Sequence, residues 1–337
     1  LHFDPAFFAP TRTSLCGAAR GTYVAGRGNH DVVRRRPTSP ADPYARLRRL
    51  DGRHPFRRRV PDGHVDYPAR RVPGTEVVYV NFRLARKMGL LPADHPDRLT
   101  AALARAVLDT FAIQIVNEYD VAHGTPIRDA DRLPGRYMAT RYLQLQHPDR
   151  VGRQSGDGRS IWNGTVRHRG STWDVSSCGT GVTRLCPATA ETGEFFRTAN
   201  WRADYGCGTA NLREGLEAVL MGETFDRNGL GTERTLAILR RPDGFAIVVR
   251  AGRNLLRPSH LFVHLKQGNV EALRAVASLH ADRQIENGDW PALPEGAARW
   301  RYLAEDAART FGRVAATFER EYVFCWLDWD GDNILTD

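Results

Sequence analysis

The stretch RTLAILRRPDGFAIVVR, residues 234–250, holds two apolar runs separated by Pro242-Asp243-Gly244. Proline presets one backbone angle of a turn and glycine tolerates the left-handed one, so the stretch predicts a β-hairpin. What lies on either side of it predicts the rest of the architecture. Before it, TEVVYVN (75–81), RYLQLQ (141–146) and the pair SGDGRSIWNGTVRHRG and STWDVSSC (155–178) read as strands, the last two around a glycine-containing turn. One helix is inserted at 98–118, with Leu99, Leu103, Val107 and Phe111 on one stripe, and another at 212–226. After the hairpin, residues 270–283 and 302–322 read as helices, the second with Leu303, Ala307, Phe311, Val314, Phe318 and Tyr322 in register. Strands first and helices afterwards predict an α+β fold, a small β-rich lobe feeding a helical one. There is no internal repeat.

Charge separates a tail from this core. Residues 1–75 hold 15 Arg against 6 Asp, whereas residues 76–337 hold 33 basic and 33 acidic side chains, so the tail carries the whole net charge of +9. Its runs VVRRRP and RLRRLDGRHPFRRRV, with scattered Pro and Gly, lack sustained apolar periodicity and predict a flexible N-terminal segment over 1–75. Arginine blocks can hold nucleic acid, although a solvated segment is their commoner use. No apolar run approaches the ~20 residues of a bilayer-spanning helix, which predicts no membrane partner. Five cysteines, odd in number and without C-x-x-C spacing, argue against a zinc ribbon or a disulfide framework. They favour a reducing, cytoplasmic compartment.

Four places could carry chemistry. Gly156 and Gly158 in QSGDGRSIWNG allow close approach of backbone to phosphate, with Arg159 adding charge; a glycine-bearing hairpin turn explains the same residues. Glu223 continues the apolar stripe Leu212, Leu216, Val219 and Leu220, so it either faces the core, where it needs a cation, or reaches water at the stripe's edge. Arg250, Arg253 and Arg257 leave the hairpin together, and their forked donors suit phosphate oxygens. The chain ends LDWDGDNILTD. Asp328, Asp330 and Asp332 alternate as in a calcium loop, but position 6 is Asn333 where that loop needs glycine. Asp328 and Asn333 have the Asp-x-x-x-x-Asn spacing of a kinase base and its magnesium ligand.

In this order, GDGR (156–159), WDVSSCGTG from Trp173, LREGLEAVLMGE ending at Glu223, GLGTERTL (229–236), Arg250 with Arg257, and Asp332-Asn333 resemble the selenoprotein O family. The resemblance runs from about Val77 to the end and is clearest over 154–337. It implies a protein-kinase-like two-lobed fold and transfer of AMP from ATP to protein hydroxyl groups, with Mg as cofactor and ATP and protein substrates as partners. Carried over residue by residue, it implies nucleotide contacts at Gly156, Asp157, Gly158, Arg159, Arg250 and Arg257 and a helix glutamate at Glu223. A second glycine turn falls at Gly206 and Gly208, the metal ligand at Asn333, and the base at Asp332 rather than Asp328. It divides the chain into a nucleotide lobe over 76–252 and the start of a helical lobe over 253–337, incomplete because the family's second metal-binding Asp falls past Asp337. Cys178 stands where the family has its nucleotide lysine. Because Lys87 and Lys266 are the only lysines, the substitute cation is one of them, Arg184 or another guanidinium. A kinase-like module that binds nucleotide without chemistry, and a phosphotransferase, are the alternatives.

Overall fold

The computed structural model describes residues 42–144, 151–200, 207–321 and 331–336. Eight strands, β1 (His64–Arg71), β2 (Glu76–Val80), β3 (Ile113–Ile115), β4 (Arg132–Thr140), β5 (Ser160–His168), β6 (Ser171–Cys178), β7 (Arg234–Arg240) and β8 (Ala246–Gly252), form one sheet in the order β2-β7-β8-β6-β5-β4-β1-β3. Every pairing is antiparallel. The helices are α1 (Pro55–Arg59), α2 (Phe82–Lys87), α3 (Ala101–Phe111), α4 (Glu118–Ala122), α5 (Pro187–Thr192), α6 (Leu212–Arg227), α7 (Pro258–Lys266), α8 (Val270–Glu286) and α9 (Ala297–Arg320). The fold is α+β.

Side-chain alternation along the central strands decides which face meets which helix. Ile247, Val249 and Ala251 of β8 join Val175 of β6 and Leu239 of β7 in a core closed by Leu84 of α2 and Leu103, Val107 and Phe111 of α3. The alternate residues point the other way. Val248 and Ile238 lie under α6, whose Gly215 lets the helix come so close that a Cβ there would stand 3.0 Å from Val248. Past β8, Leu255 and Leu256 pack with Val276 and Leu279 of α8, Phe56, Val60, Met138 and Trp162. The helical part is thereby fixed to the sheet.

Three expectations change. The described unit begins at Asp42, so residues 42–75 are built into the fold rather than forming part of a flexible tail. Their elements are too short to show periodicity, yet Leu47, Leu50, Phe56, Val60 and Tyr67 are buried, while Arg57 and Arg59 reach Asp66 and Asp282. The stretch 98–118 divides into α3 and β3, because Thr100 caps Leu103 N–H, Ala112 ends the helix and Ile113-Gln114-Ile115 pairs with β1. Leu99 precedes the cap and is exposed. The strand expected at 141–146 is β4, upstream of it; Arg141 makes only a single bridge, to Gly156. Residues 145, 146 and Tyr322 lie outside the described residues.

Candidate functional site

The cross-strand register assembles the floor of a cavity. Cys178 of β6 is opposite Ser160 of β5 and Val248 of β8, and Ser176 is opposite Arg250. All point away from the α2–α3 core, so Ser160, Cys178, Val248 and Arg250 line one space of about 220 Å³. Gly156, Gly158 and Arg159 reach it from the turn before β5, Glu214 and Ala218 from α6, and Arg257 from the N-cap of α7. Tyr142, Gln144, Pro187, Glu233, Asp332 and Asn333 complete the wall.

Residues distant in sequence are thereby brought together. Of the predicted site residues, Gly156, Gly158, Arg159, Arg250, Arg257, Asp332 and Asn333 share this cavity. The glycines permit close approach chiefly to the protein's own chain. A Cβ at Gly156 would stand 2.1 Å from Thr140 O, and one at Gly158 would stand 2.9 Å from Cys186 Cα. The turn is therefore pressed against β4 and leads into β5, and is not a hairpin turn itself. The hairpin's own turn is Arg169-Gly170, both with positive φ.

Asp157 is buried behind the cavity. Its Oδ2 accepts Thr140 N–H (2.8 Å), Thr140 Oγ1–H (2.6 Å) and Trp162 Nε1–H (3.0 Å). Because the Thr140 hydroxyl proton is spent on Asp157, His260 Nε2 donates to Thr140 Oγ1 at 2.9 Å, and His260 Nδ1 accepts Arg257 N–H at 3.0 Å. This relay ties the glycine turn to the backbone of Arg257. Burial, with help from the Arg257 charge, pushes His260 down to about 3, so the ring is neutral.

Two of the three guanidiniums hold carboxylates. Arg159 makes a two-pronged pair with Glu214 (3.0 and 2.7 Å). Arg250 Nη1 donates to Glu233 at 3.1 Å and its Nη2 to Ser160 Oγ at 3.4 Å, while its Nε is buried and without a partner. Burial works against the Arg250 charge, but Glu233, then Cys178 and Asp157, outweigh it and hold its pKa above the ordinary value. Arg257 lies 4.9 Å over the Tyr142 ring and donates to Asp332 O at 2.8 Å. Asp332 is 5 % exposed, and its Oδ1 has no hydrogen-bond partner. Bonds from Ser259 N–H to Gly331 O and from Thr336 N–H to Leu256 O hold the 331–336 segment against the start of α7.

Glu223 lies elsewhere. It takes three bonds from Arg234, at 2.6–2.8 Å, and one from Asn81 at 2.7 Å. It therefore faces the protein and has its cation, but that cation is Arg234, and neither of the two lines the cavity. Gly208 has φ +83 and packs on Val182, away from the cavity lining. Gly206 and Asp328 lie outside the described residues. No lysine lines the cavity: Lys87 sits 5.4 Å over the Trp173 ring, and Lys266 is in the last turn of α7. Arg184 reaches Gln154 and the Phe195 ring instead. Glu214, Glu233, Tyr142 and His260 went unread in the sequence. Only Glu214 carries a local signal, the Asn211-x-x-Glu214 pattern of a capping box.

Among the described residues, no group of three or more His, Cys, Asp or Glu side chains has the arrangement to hold a metal ion by itself. Among the same residues, no helix is long and apolar enough to cross a membrane. Compared with protein-family models and with curated proteins, the chain matches none.

Proposed function

We propose that this cavity holds the phosphates of ATP and that the chain is a kinase-like protein adenylyltransferase related to the selenoprotein O family. One observation carries the reading: seven residues singled out from separate motifs border one space. Its volume is below the ~300–1,000 Å³ usual for a complete small-molecule site, which suits the phosphate chain with the nucleoside toward the mouth. Three guanidiniums supply forked donors for phosphate oxygens. The orphaned Asp332 Oδ1 and the neighbouring Asn333 offer oxygen ligands of the kind Mg accepts, and Mg needs few from the protein when substrate phosphates provide the rest. Magnesium would supply charge neutralisation at the phosphates.

In this reading the turn at 156–159, Arg250 and Arg257 orient the triphosphate. A protein hydroxyl attacks the α-phosphorus; the new O–P bond forms as the bond to the β-phosphate oxygen breaks, and pyrophosphate leaves. Asp332 takes the hydroxyl proton. Positioning and charge account for most of the rate in such transfers.

A second reading has its own support. Cys178 occupies the floor where a cation would be expected, and Glu214 and Glu233 offset two of the arginines. These features favour a module that binds nucleotide without transferring any part of it. ATP labelled at the α- or the γ-phosphate separates the cases. Label on protein from the α-position alone supports adenylylation, and label from the γ-position alone means phosphotransfer. No label with either, alongside nucleotide-dependent thermal stabilisation, means a binding module.

A further inference from the structure

The cavity is lined by three guanidiniums, Arg159, Arg250 and Arg257, and by three carboxylates, Glu214, Glu233 and Asp332. Their formal charges cancel. A triphosphate brings several negative charges of its own, and a neutral low-dielectric pocket gives it no net attraction. Arg250 is more enclosed than Arg159. It rises from the strand floor, its side chain is 18 % exposed, and its Nη1 is engaged by Glu233. Glu233 is held in position by its backbone. Gly222 of α6 lets that helix approach the Glu233 carbonyl so closely that a Cβ would stand 3.1 Å from it. Glu233 is 32 % exposed, and Glu214, paired with Arg159, is 40 % exposed.

We infer that Glu233 is a built-in counter-ion to Arg250 that makes the cavity selective for metal-complexed polyphosphate over the free anion. An unaccompanied polyphosphate must approach Glu233 and Asp332 to reach Arg250, and like charge opposes it. A polyphosphate carrying a divalent cation brings positive charge to the same carboxylates, including the unpartnered Asp332 Oδ1. Glu233 thus sets which form of the ligand enters. The inference rests on the nucleotide reading above.

The test is calorimetric titration of the full chain with tripolyphosphate, and with ATP, each with and without Mg. Wild type is expected to bind the metal-free anions weakly and to gain affinity with Mg. Glu233→Gln keeps the side chain's size and removes its charge; metal-free tripolyphosphate should then bind at least roughly tenfold tighter, and the gain from Mg should shrink by a similar factor. Glu217→Gln is the control, because Glu217 pairs with Arg213 on the exposed side of α6 and does not line the cavity. It should leave both affinities unchanged. If Glu233→Gln fails to tighten metal-free binding, or Glu217→Gln tightens it equally, the counter-ion role is overturned while Mg-ATP binding by wild type keeps the nucleotide reading. No binding of Mg-ATP or tripolyphosphate by any of the three proteins overturns both.

Discussion

Arg234 is 4 % exposed and holds Glu223 by three bonds and Asp226 at 2.9 Å. A buried guanidinium that loses part of this shell keeps its desolvation cost and loses its compensation. Glu223→Gln should therefore lower the unfolding free energy by about 1–3 kcal/mol, read by urea denaturation. Affinity for Mg-ATP should stay within about twofold, since Glu223 does not border the cavity. A folded, equally stable variant with sharply weaker binding would place Glu223 in the site after all. The sequence leaves Glu223 either core-facing or at the edge of the stripe through Leu216 and Leu220. That stripe is exposed (Leu216 44 %, Leu220 68 %), so Arg234, and not the helical period, explains why Glu223 faces the protein. Its partner is not legible, because two arginines eleven and twenty-seven positions on, Arg234 and Arg250, look alike until the sheet register separates them. Glu233 is hidden for the same reason: it sits just before β7 with no pattern around it, and the register that sets Thr235 opposite Arg250 brings it within reach of that guanidinium.

At the scale of elements, the cavity floor depends on strand alternation, and its edge on how tightly the glycine turn meets β4. Two glycine substitutions separate tight packing from ordinary turn strain. At Gly170 the φ is +81 and nothing lies within 4 Å of a Cβ, so Gly170→Ala meets only the left-handed penalty, about 1–2 kcal/mol. At Gly156 a Cβ runs into Thr140 O, and Gly156→Ala must displace backbone in addition. It should be the more destabilising by about 1–3 kcal/mol in thermal or urea unfolding. It should also weaken polyphosphate binding, because Thr140 carries the link from Asp157 to His260 and Arg257. Equal costs for the two would mean the turn does not press on β4. The long helices and the Pro-Asp-Gly hairpin are legible because their periods repeat several times. The Leu47–Arg49 turn, α1 and β3 are not, being too short for a period to declare itself.

At the scale of the molecule, two buried histidines couple stability to pH. Burial, then nearby Arg257, pushes His260 down to about 3; burial, then Arg283, pushes His280 to about 4, against an ordinary value of 6.5. The folded protein keeps both neutral, while the unfolded chain takes up protons below about pH 6.5. The sign follows from the unfolded state binding more protons. Stability is complete above about pH 6.5 and falls as the medium is acidified toward pH 4 and 3, by up to about 1.4 kcal/mol per pH unit for each ring. Asp174, whose carboxylate Arg283 and His54 hold well below its usual range despite burial, adds a loss in the same direction at lower pH. Urea unfolding at pH 7 and pH 5 should show the decline; equal stability at both would contradict neutral, buried rings.

One cavity gathers guanidiniums beside Asp332 and Asn333, and direct binding tests most simply whether it holds nucleotide. Mg-ATP is titrated into wild type and into Arg257→Gln, with circular dichroism verifying that the variant is folded. Wild type should bind saturably, and the variant should lose roughly 10–100-fold in affinity. Absence of binding by wild type, or the same affinity in a folded Arg257→Gln protein, would contradict the nucleotide reading.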